Sequence, residues 1–440
     1  MQEPILAVGI VSATQIPFTL TGAFRLNGEE QIFAESQSVK YDSGKINFDG
    51  KSFNELVFEP LSADASFTLE EVVIGIGFHW ERREAQSFRG SLKIMLEGEQ
   101  LTAVNLIPVE EYLKSVISSE MSATASPELL KAHAVISRSW LLSQLDKRRN
   151  LTAQTVKYVS EKRTESEWIK WWDREDHRLY DVCADDHCQR YQGITRAATQ
   201  KVNDAVEATR GELLLYENQI CDARFSKCCG GVMERFENCW EPASHPYLQK
   251  VFDRAEHSIS ETPDLTNEKE SEVWITQSPD AFCNTKDKTI LSQVLNNYDQ
   301  ETTDFYRWKV TYSQQELSDL LRKRTQIDFG EIIDLQPVER GVSGRLIRLK
   351  IVGTNTSMVI GKELLIRKSL SESHLYSSAF VVEKEFGNQA LPVLFTLVGA
   401  GWGHGVGLCQ IGAAVMGASG YNYHNILLHY YRNVSIERRY

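Results

Sequence analysis

Apolar residues recur along this chain in two rhythms. Up to about residue 105 they form short or alternating runs: Ile5–Ile10, Phe18–Phe24, Gln31–Phe33, Lys45–Phe48, Val72–Phe78 and Ser91–Leu96. Runs of this kind, punctuated by Gly, Asp and Asn, predict strands. Asn27-Gly28 and Asp49-Gly50 are hairpin signals. From Pro108 the spacing changes to three and four. Val109, Tyr112, Leu113, Val116 and Ile117 make the apolar stripe of an amphipathic helix with Pro108 in its first turn. At about 100° per residue, Glu120 projects to roughly 20° from Val109 and from Leu113. A helix that reaches Glu120 puts a carboxylate on its buried face, where burial and the negative helix end both favour the protonated form. A helix that stops at Ser118 leaves Glu120 in a solvated turn. Glu110 and Glu111 fall on the flank and polar side. A second helix begins at Ser126-Pro127-Glu128, read as cap, first-turn proline and first-turn acid. Leu130, Ala134, Ser137, Leu141 and Leu145 continue it.

Further on, Arg148 to Trp172 is highly charged and holds Trp168, Trp171 and Trp172. A solvated helix is the expectation, an aromatic shelf for sugar rings the alternative. His245 to about Asp299 is acidic and loop-like, with residues 258–272 as a surface insertion. Trp308–Tyr312 predicts a strand, Ser313–Arg324 a helix capped by Ser313, and Ile332–Leu335, Arg345–Val352 and Ser357–Ile360 further strands. Near the C-terminus, a glycine-rich stretch leads into Leu408, Ile411 and Val415 at helical spacing. Its glycines fit neither a dinucleotide nor a phosphate-loop pattern. The fold class expected is α+β: a β-rich domain over 1–105, a helical and mixed core over 106–249 and 391–440, and an inserted α/β block over 250–390.

Composition narrows the partners. The formal net charge of -12 over 440 residues argues against nucleic acid or an anionic membrane. No apolar run approaches a membrane span, and no signal peptide is visible ahead of Ile5–Val11. Eight cysteines are many for a cytosolic chain, and their clustering favours a metal site, disulfides or both. His177, Cys183, His187 and Cys188 supply the donor count of a tetrahedral zinc site. A Cys183–Cys188 disulfide or two free thiols are the alternatives. A disulfide involving Cys239 is also expected.

The pairing of VEEYLKSVISSEM with ELLKAHAVISRSW, together with CDARFSKCCGG and GWGHGVGLCQIGA, resembles the SpoIID/LytB family of sporulation D proteins and amidase enhancers. The resemblance covers roughly Ile107–Glu241 and Phe395–Val434. It implies a peptidoglycan lytic transglycosylase in which Glu120 is the catalytic acid. It implies a cleft lined by the segment holding Gly230 and Gly231, and a zinc cluster similar to His177, Cys183, His187 and Cys188. Arg138 matches the second-helix motif, either holding substrate or pairing with an acid in the fold. His404 is a candidate for binding substrate or orienting Glu120, and Trp402 for stacking on a sugar. Each has a packing role as its alternative. His133, where the family often has Gln, and Lys227-Cys228-Cys229, where small hydroxyl residues are usual, depart from the pattern.

The reaction so implied is cleavage between N-acetylmuramic acid and N-acetylglucosamine with closure of a 1,6-anhydro ring, zinc being structural and not required for the chemistry. The partners implied are glycan strands and a cell-wall amidase, in the cell envelope or periplasm. The missing signal peptide leaves a cytoplasmic chain open. The rival readings are a glycan-binding amidase enhancer without catalysis and a zinc amidohydrolase. Asp222 is the acid to inspect if hydrolysis needs a second carboxylate.

Overall fold

The computed structural model describes residues 2–74, 82–122, 124–151, 159–172, 177, 179–185, 188–195, 199–255, 262–294, 302–388 and 390–440. Among them are helices α1 (Val109–Glu120), α2 (Pro127–Leu151), α3 (Gln200–Ala208), α4 (Glu268–Thr276), α5 (Lys288–Leu291), α6 (Gln314–Thr325), α7 (Glu363–Ser369), α8 (Gln410–Ala418) and α9 (Tyr423–Tyr430). With many strands beside them, the class is α+β.

The N-terminal region supplies ten strands, paired antiparallel, of an eleven-stranded sheet whose remaining strand, Val182–Cys183, pairs in parallel at one edge. Its strands Ile5–Ala13, Gln100–Pro108 and Ser91–Glu97 are neighbours. Asp49 and Gly50 both take positive φ, 49° and 70°, in the turn joining Lys45–Phe48 to Lys51–Phe53, as a two-residue hairpin of this hand requires. The alternating runs missed four strands, Lys51–Phe53, Glu55–Pro60, Arg82–Arg89 and Gln100–Pro108. Arg82–Arg89 is mostly polar and buries only Gln86 and Phe88, too little apolar pattern to detect. Part of the predicted Val72–Phe78 strand lies outside the described residues; the observed strand is Ser66–Ile74.

Strand Gln100–Pro108 runs directly into α1, with Pro108 as the extended N-cap. One continuous apolar core joins the sheet, through Phe18, Phe58 and Phe88, to Tyr112 and Val116 of α1 and Leu130 and Leu141 of α2. The sheet is therefore a rigid base for α1. Ser126 caps the start of α2, its Oγ accepting from the Leu129 N–H at 3.3 Å.

The inserted block has a core of its own, around Trp308, Leu317, Leu335, Leu349 and Phe395. Its boundaries differ from 250–390. Strand Pro392–Ala400 is central to the sheet of Arg307–Ser313 and Phe380–Phe386. The hairpin Glu161–Arg163/Glu167–Lys170 joins the other sheet, pairing with Ser357–Gly361. That hairpin replaces the solvated helix expected there. Ile169 is buried, Trp168 packs on the second core and Glu167 reaches Arg348, so tertiary contacts override the charge pattern. Each of the three tryptophans has a cation over its ring: Arg163 over Trp168, Lys362 over Trp171, and Lys170 and Lys368 over Trp172. A helix also replaces the loop expected near 268–276. Asn267 caps it, and Trp274 and Ile275 fill a small third core. The helix after Ser313 forms with a full capping box to Glu316.

The most consequential difference concerns Glu110. Sequence spacing puts it on the flank of α1, yet it is fully buried and forms a bidentate pair with equally buried Arg138 of α2, at 2.8 and 2.7 Å. The Gly211 N–H and the Tyr440 hydroxyl also donate to Glu110, at 3.3 and 2.7 Å, while Arg138 donates to the Glu212 carbonyl at 3.1 Å. Removing one partner of a buried pair leaves an uncompensated charge and costs about 3–5 kcal/mol. Arg138→Met is therefore expected to lower the urea unfolding free energy by about that much. The double variant Glu110→Gln/Arg138→Met should recover part of it. Equal losses in the single and double variants would show that the lost charge pairing is not the cause.

Candidate functional site

Helix α1 persists to Glu120 and ends there, with Met121 extended. Glu120 is half-buried at the helix C-terminus, more open than a carboxylate on the centre of the buried face. The apolar side of α1 is fixed beneath it. Tyr112 stacks on Tyr191 at 4.9 Å, and the Tyr191 hydroxyl donates to Asn105 Oδ1 at 2.6 Å. Burial pushes the Tyr112 phenol well up; negative charge on Cys188, Cys183, Tyr191 and Glu120 adds to it in that order. Beyond the helix end, the Ser122 N–H donates to the Gln293 carbonyl and the Ser126 N–H to Gln293 Oε1, both at 3.0 Å. The turn that follows Glu120 is thus tied to the segment after α5.

His133 on α2 is fully buried, with Nδ1 3.2 Å from Ser137 Oγ and Nε2 3.2 Å from Gln410 Nε2. Its ring meets Phe225 edge-on at 4.7 Å. Burial, aided by the Lys227 ammonium, lowers its pKa to about 3. It is a neutral hydrogen-bonding group that links α2 to α8, and not a proton carrier near pH 7. Gln410 was missed by the sequence reading; a polar residue in the first turn of the glycine-rich helix was its only signal.

Other predicted residues fall elsewhere. Arg138 has no exposed surface and pairs with Glu110, so it holds the fold together and cannot reach substrate. Gly230 and Gly231 are buried at φ 77° and 102°. A Cβ on Gly230 would meet Gly401 N at 3.0 Å, and one on Gly231 the Trp274 ring at 2.8 Å. These glycines let other parts of the protein, the Gly401 backbone and the Trp274 ring, come close. Trp402 stacks on Phe305 at 4.7 Å, meets Tyr376 at 4.6 Å and bridges the Cys228 backbone, so one ring face is already covered by protein. His404 lies against Trp240 at 5.0 Å, and its Nδ1 accepts from the Val406 N–H at 3.0 Å. Desolvation, with Arg224, Arg367 and Arg345 around it, holds its pKa well below the ordinary histidine range. Asp222 is locked by Arg224 at 2.6 and 3.0 Å, and its N–H donates to the Tyr247 hydroxyl. Cys239 is a free thiol facing the His404 carbonyl at 3.7 Å, not half of a disulfide.

Three of the four predicted metal ligands converge. Donor atoms of His177, Cys183 and Cys188 all lie within 4.8 Å of one another. Cys188 Sγ is 3.5 Å from His177 Nε2, and the two cysteines are not joined in a disulfide. His187 lies outside the described residues. Strand Val182–Cys183 pairs in parallel with Ile5–Ala13, which carries the cluster on the edge of the large sheet. Beside it, a pocket of about 400 Å³ is lined by residues including Ile10, Thr102, Tyr180, Asp185 and Arg190. Among the described residues no helix is long and apolar enough to cross a membrane.

Comparison with known proteins places these features. Residues 97–216, which contain α1, α2 and the His/Cys cluster, match the family described as Stage II sporulation protein. Residues 234–407 match a domain of unknown function (DUF8618). The chain is 25% identical over 340 residues to Stage II sporulation protein D of Bacillus amyloliquefaciens, covering 76% of this chain and 75% of that protein. Its counterpart in Bacillus subtilis (strain 168) is 24% identical over 336 residues, 76% of each. An amidase enhancer of Bacillus subtilis is 23% identical over 330 residues, 74% of this chain but only 40% of that longer protein.

The buried imidazole generates a pH prediction. Between pH about 6.5 and about 3, His133 takes up its proton in the unfolded chain but not in the folded one. Its contribution to stability is therefore lost as pH falls through that window, at about 1.4 kcal/mol per pH unit. His133→Gln keeps hydrogen-bonding groups toward Ser137 and Gln410 without titrating. Its unfolding free energy relative to the parent is expected to rise steadily from pH 6.5 to 4, read by urea denaturation. A difference independent of pH would show that His133 is protonated in the fold.

Proposed function

Taking as premise that this chain belongs to the SpoIID/LytB family, we propose that it is a peptidoglycan lytic transglycosylase. The observation that carries the reading is α1 itself: it reaches Glu120, ends there, and leaves that carboxylate half-open. In this reading Glu120 donates its proton to the oxygen bridging N-acetylmuramic acid and N-acetylglucosamine as the glycosidic bond breaks. The resulting carboxylate then takes the proton of the muramic C6 hydroxyl, whose oxygen bonds to C1 and closes the 1,6-anhydro ring. One carboxylate serves both steps, and its proton inventory is restored at the end. The attacking hydroxyl is already held on the substrate, so no water has to be positioned. Asp222, tied to Arg224, is not available as a partner acid, which supports chemistry with a single carboxylate. Glycan strands are the substrate and the cell envelope the site of action in this proposal, with a cell-wall amidase as a further partner.

We assign His177, Cys183 and Cys188, with His187 completing the set, as ligands of a structural zinc. Two thiolates and imidazole nitrogen are the donors zinc prefers. With four protein ligands the ion supplies folding free energy and leaves no position open for reactive water. It would tie the edge strand Val182–Cys183 to the residues that face Tyr112, and so hold α1 in place.

Glu120→Gln keeps the shape of the side chain but cannot give up a proton. Release of soluble fragments from purified peptidoglycan is expected to fall by about 10²–10⁴-fold, with thermal unfolding and sedimentation with peptidoglycan unchanged. Parent-like cleavage would remove Glu120 from the mechanism. A parent protein that binds the glycan without cutting it would be an enhancer. For the metal, Cys183→Ser/Cys188→Ser is expected to lose about one equivalent of zinc per chain and to unfold at lower temperature. A Cys183–Cys188 disulfide in the isolated protein would overturn the assignment.

A further inference from the structure

A second group of metal-binding side chains lies in the core, away from the His177 cluster. Cys229 Sγ, Cys283 Sγ, Cys409 Sγ and a carboxylate oxygen of Asp253 all lie within 4.8 Å of one another, and all four residues are buried. They come from distant parts of the chain. Cys229 is 54 residues from Cys283 and 180 from Cys409. Cys229 ends the Lys227-Cys228-Cys229 run, Cys283 sits in the loop after α4, and Cys409 is the residue before α8.

The spacing is that of a coordination shell. Two thiolates about 2.3 Å from one tetrahedral ion stand about 3.8 Å apart, and Cys229 Sγ and Cys283 Sγ are 3.6 Å apart. A disulfide requires about 2.05 Å. Asp253 Oδ2 is 3.5 Å from Cys229 Sγ. The carboxylate is held in place from behind, as ligands of bound metals are. The Tyr430 hydroxyl donates to Oδ1 at 2.8 Å and the Cys283 N–H to Oδ2 at 3.0 Å.

Charge points the same way. Asp253 is 0% exposed, and a buried carboxylate needs a compensating cation. Among the described residues the ion pair recorded for it is with His429 at 3.7 Å. Arg345, fully buried, donates to the Cys229 carbonyl at 3.1 Å and supplies positive charge close to the cluster. A fourth thiol, Cys228, is within hydrogen-bonding reach of Cys283 and Cys409.

We propose that Cys229, Cys283, Cys409 and Asp253 bind one zinc ion, releasing three thiol protons to solvent as they coordinate it. With four protein ligands and no exposure, the site is closed and structural. It joins the loop after α4 to two segments that meet at the start of α8. Cys229 follows Lys227, whose carbonyl accepts from the Ile411 N–H at 3.1 Å, and Cys409 precedes Gln410, which contacts His133. This inference is independent of the glycan-cleaving reading and of the His177 site.

The test uses the full chain carrying Cys183→Ser/Cys188→Ser, so that metal at the other cluster does not contribute. Native mass spectrometry and elemental analysis are expected to find about one zinc per chain. Adding Cys283→Ser should abolish it. Refolding the same background with cobalt(II) alone should give the intense thiolate-to-cobalt charge-transfer absorption of a tetrahedral site, a readout that stands even if the Cys283 variant does not fold. A folded background protein with no zinc and no such absorption would overturn the proposal. So would a peptide map, made without reductant, that joins Cys229 to Cys283 by a disulfide.

Discussion

The structure depends on one buried ion pair. Glu110 and Arg138 bring together the first turn of α1, the middle of α2, the Gly211–Glu212 turn and the C-terminal Tyr440. Taking two charges out of water carries a large desolvation penalty, offset only where the geometry is good and the remaining donors and acceptors are satisfied. Here the pairing is bidentate, and Glu110 accepts two further hydrogen bonds. Such a junction tolerates little displacement. It fixes the axis of α1 at its N-terminal end, while the continuous strand before Pro108 fixes where the helix starts.

The site follows from that anchoring. With its first turn locked and Tyr112 packed on Tyr191, α1 can deliver its last residue to one place. Glu120 therefore owes its position to contacts made up to three turns away. Neutral His133 ties α2 to α8 through Gln410, so the glycine-rich C-terminal motif packs against α2. Gly230 and Gly401 approach each other closely for the same reason: two backbones cross there without side chains.

Much of this was legible in the sequence where local signals dominate. Pro108, Ser126-Pro127 and Ser313 marked helix starts because capping and proline geometry act over a few residues. Glu110 was not legible, because a helical projection assumes one buried face. Helix α3 and the C-terminal residues cover α1 on its second side, as the Lys114–Glu207 contact and the Tyr440 hydroxyl show. The convergence of Cys229, Cys283 and Cys409 was hidden by sequence distance, whereas Cys183 and Cys188 stood out by being neighbours. The hairpin at Glu161–Lys170 was hidden because its strands bury their apolar side only against a sheet far along the chain.

The central claim is that a single carboxylate at the end of α1 closes a ring on the substrate instead of directing water. Digestion of purified peptidoglycan in heavy-oxygen water, with product masses read directly, tests it most directly. The account predicts fragments ending in 1,6-anhydro-N-acetylmuramic acid, one water lighter than hydrolytic products and free of the label. Reducible ends carrying heavy oxygen would contradict it and make the protein a hydrolase with a second, water-activating group.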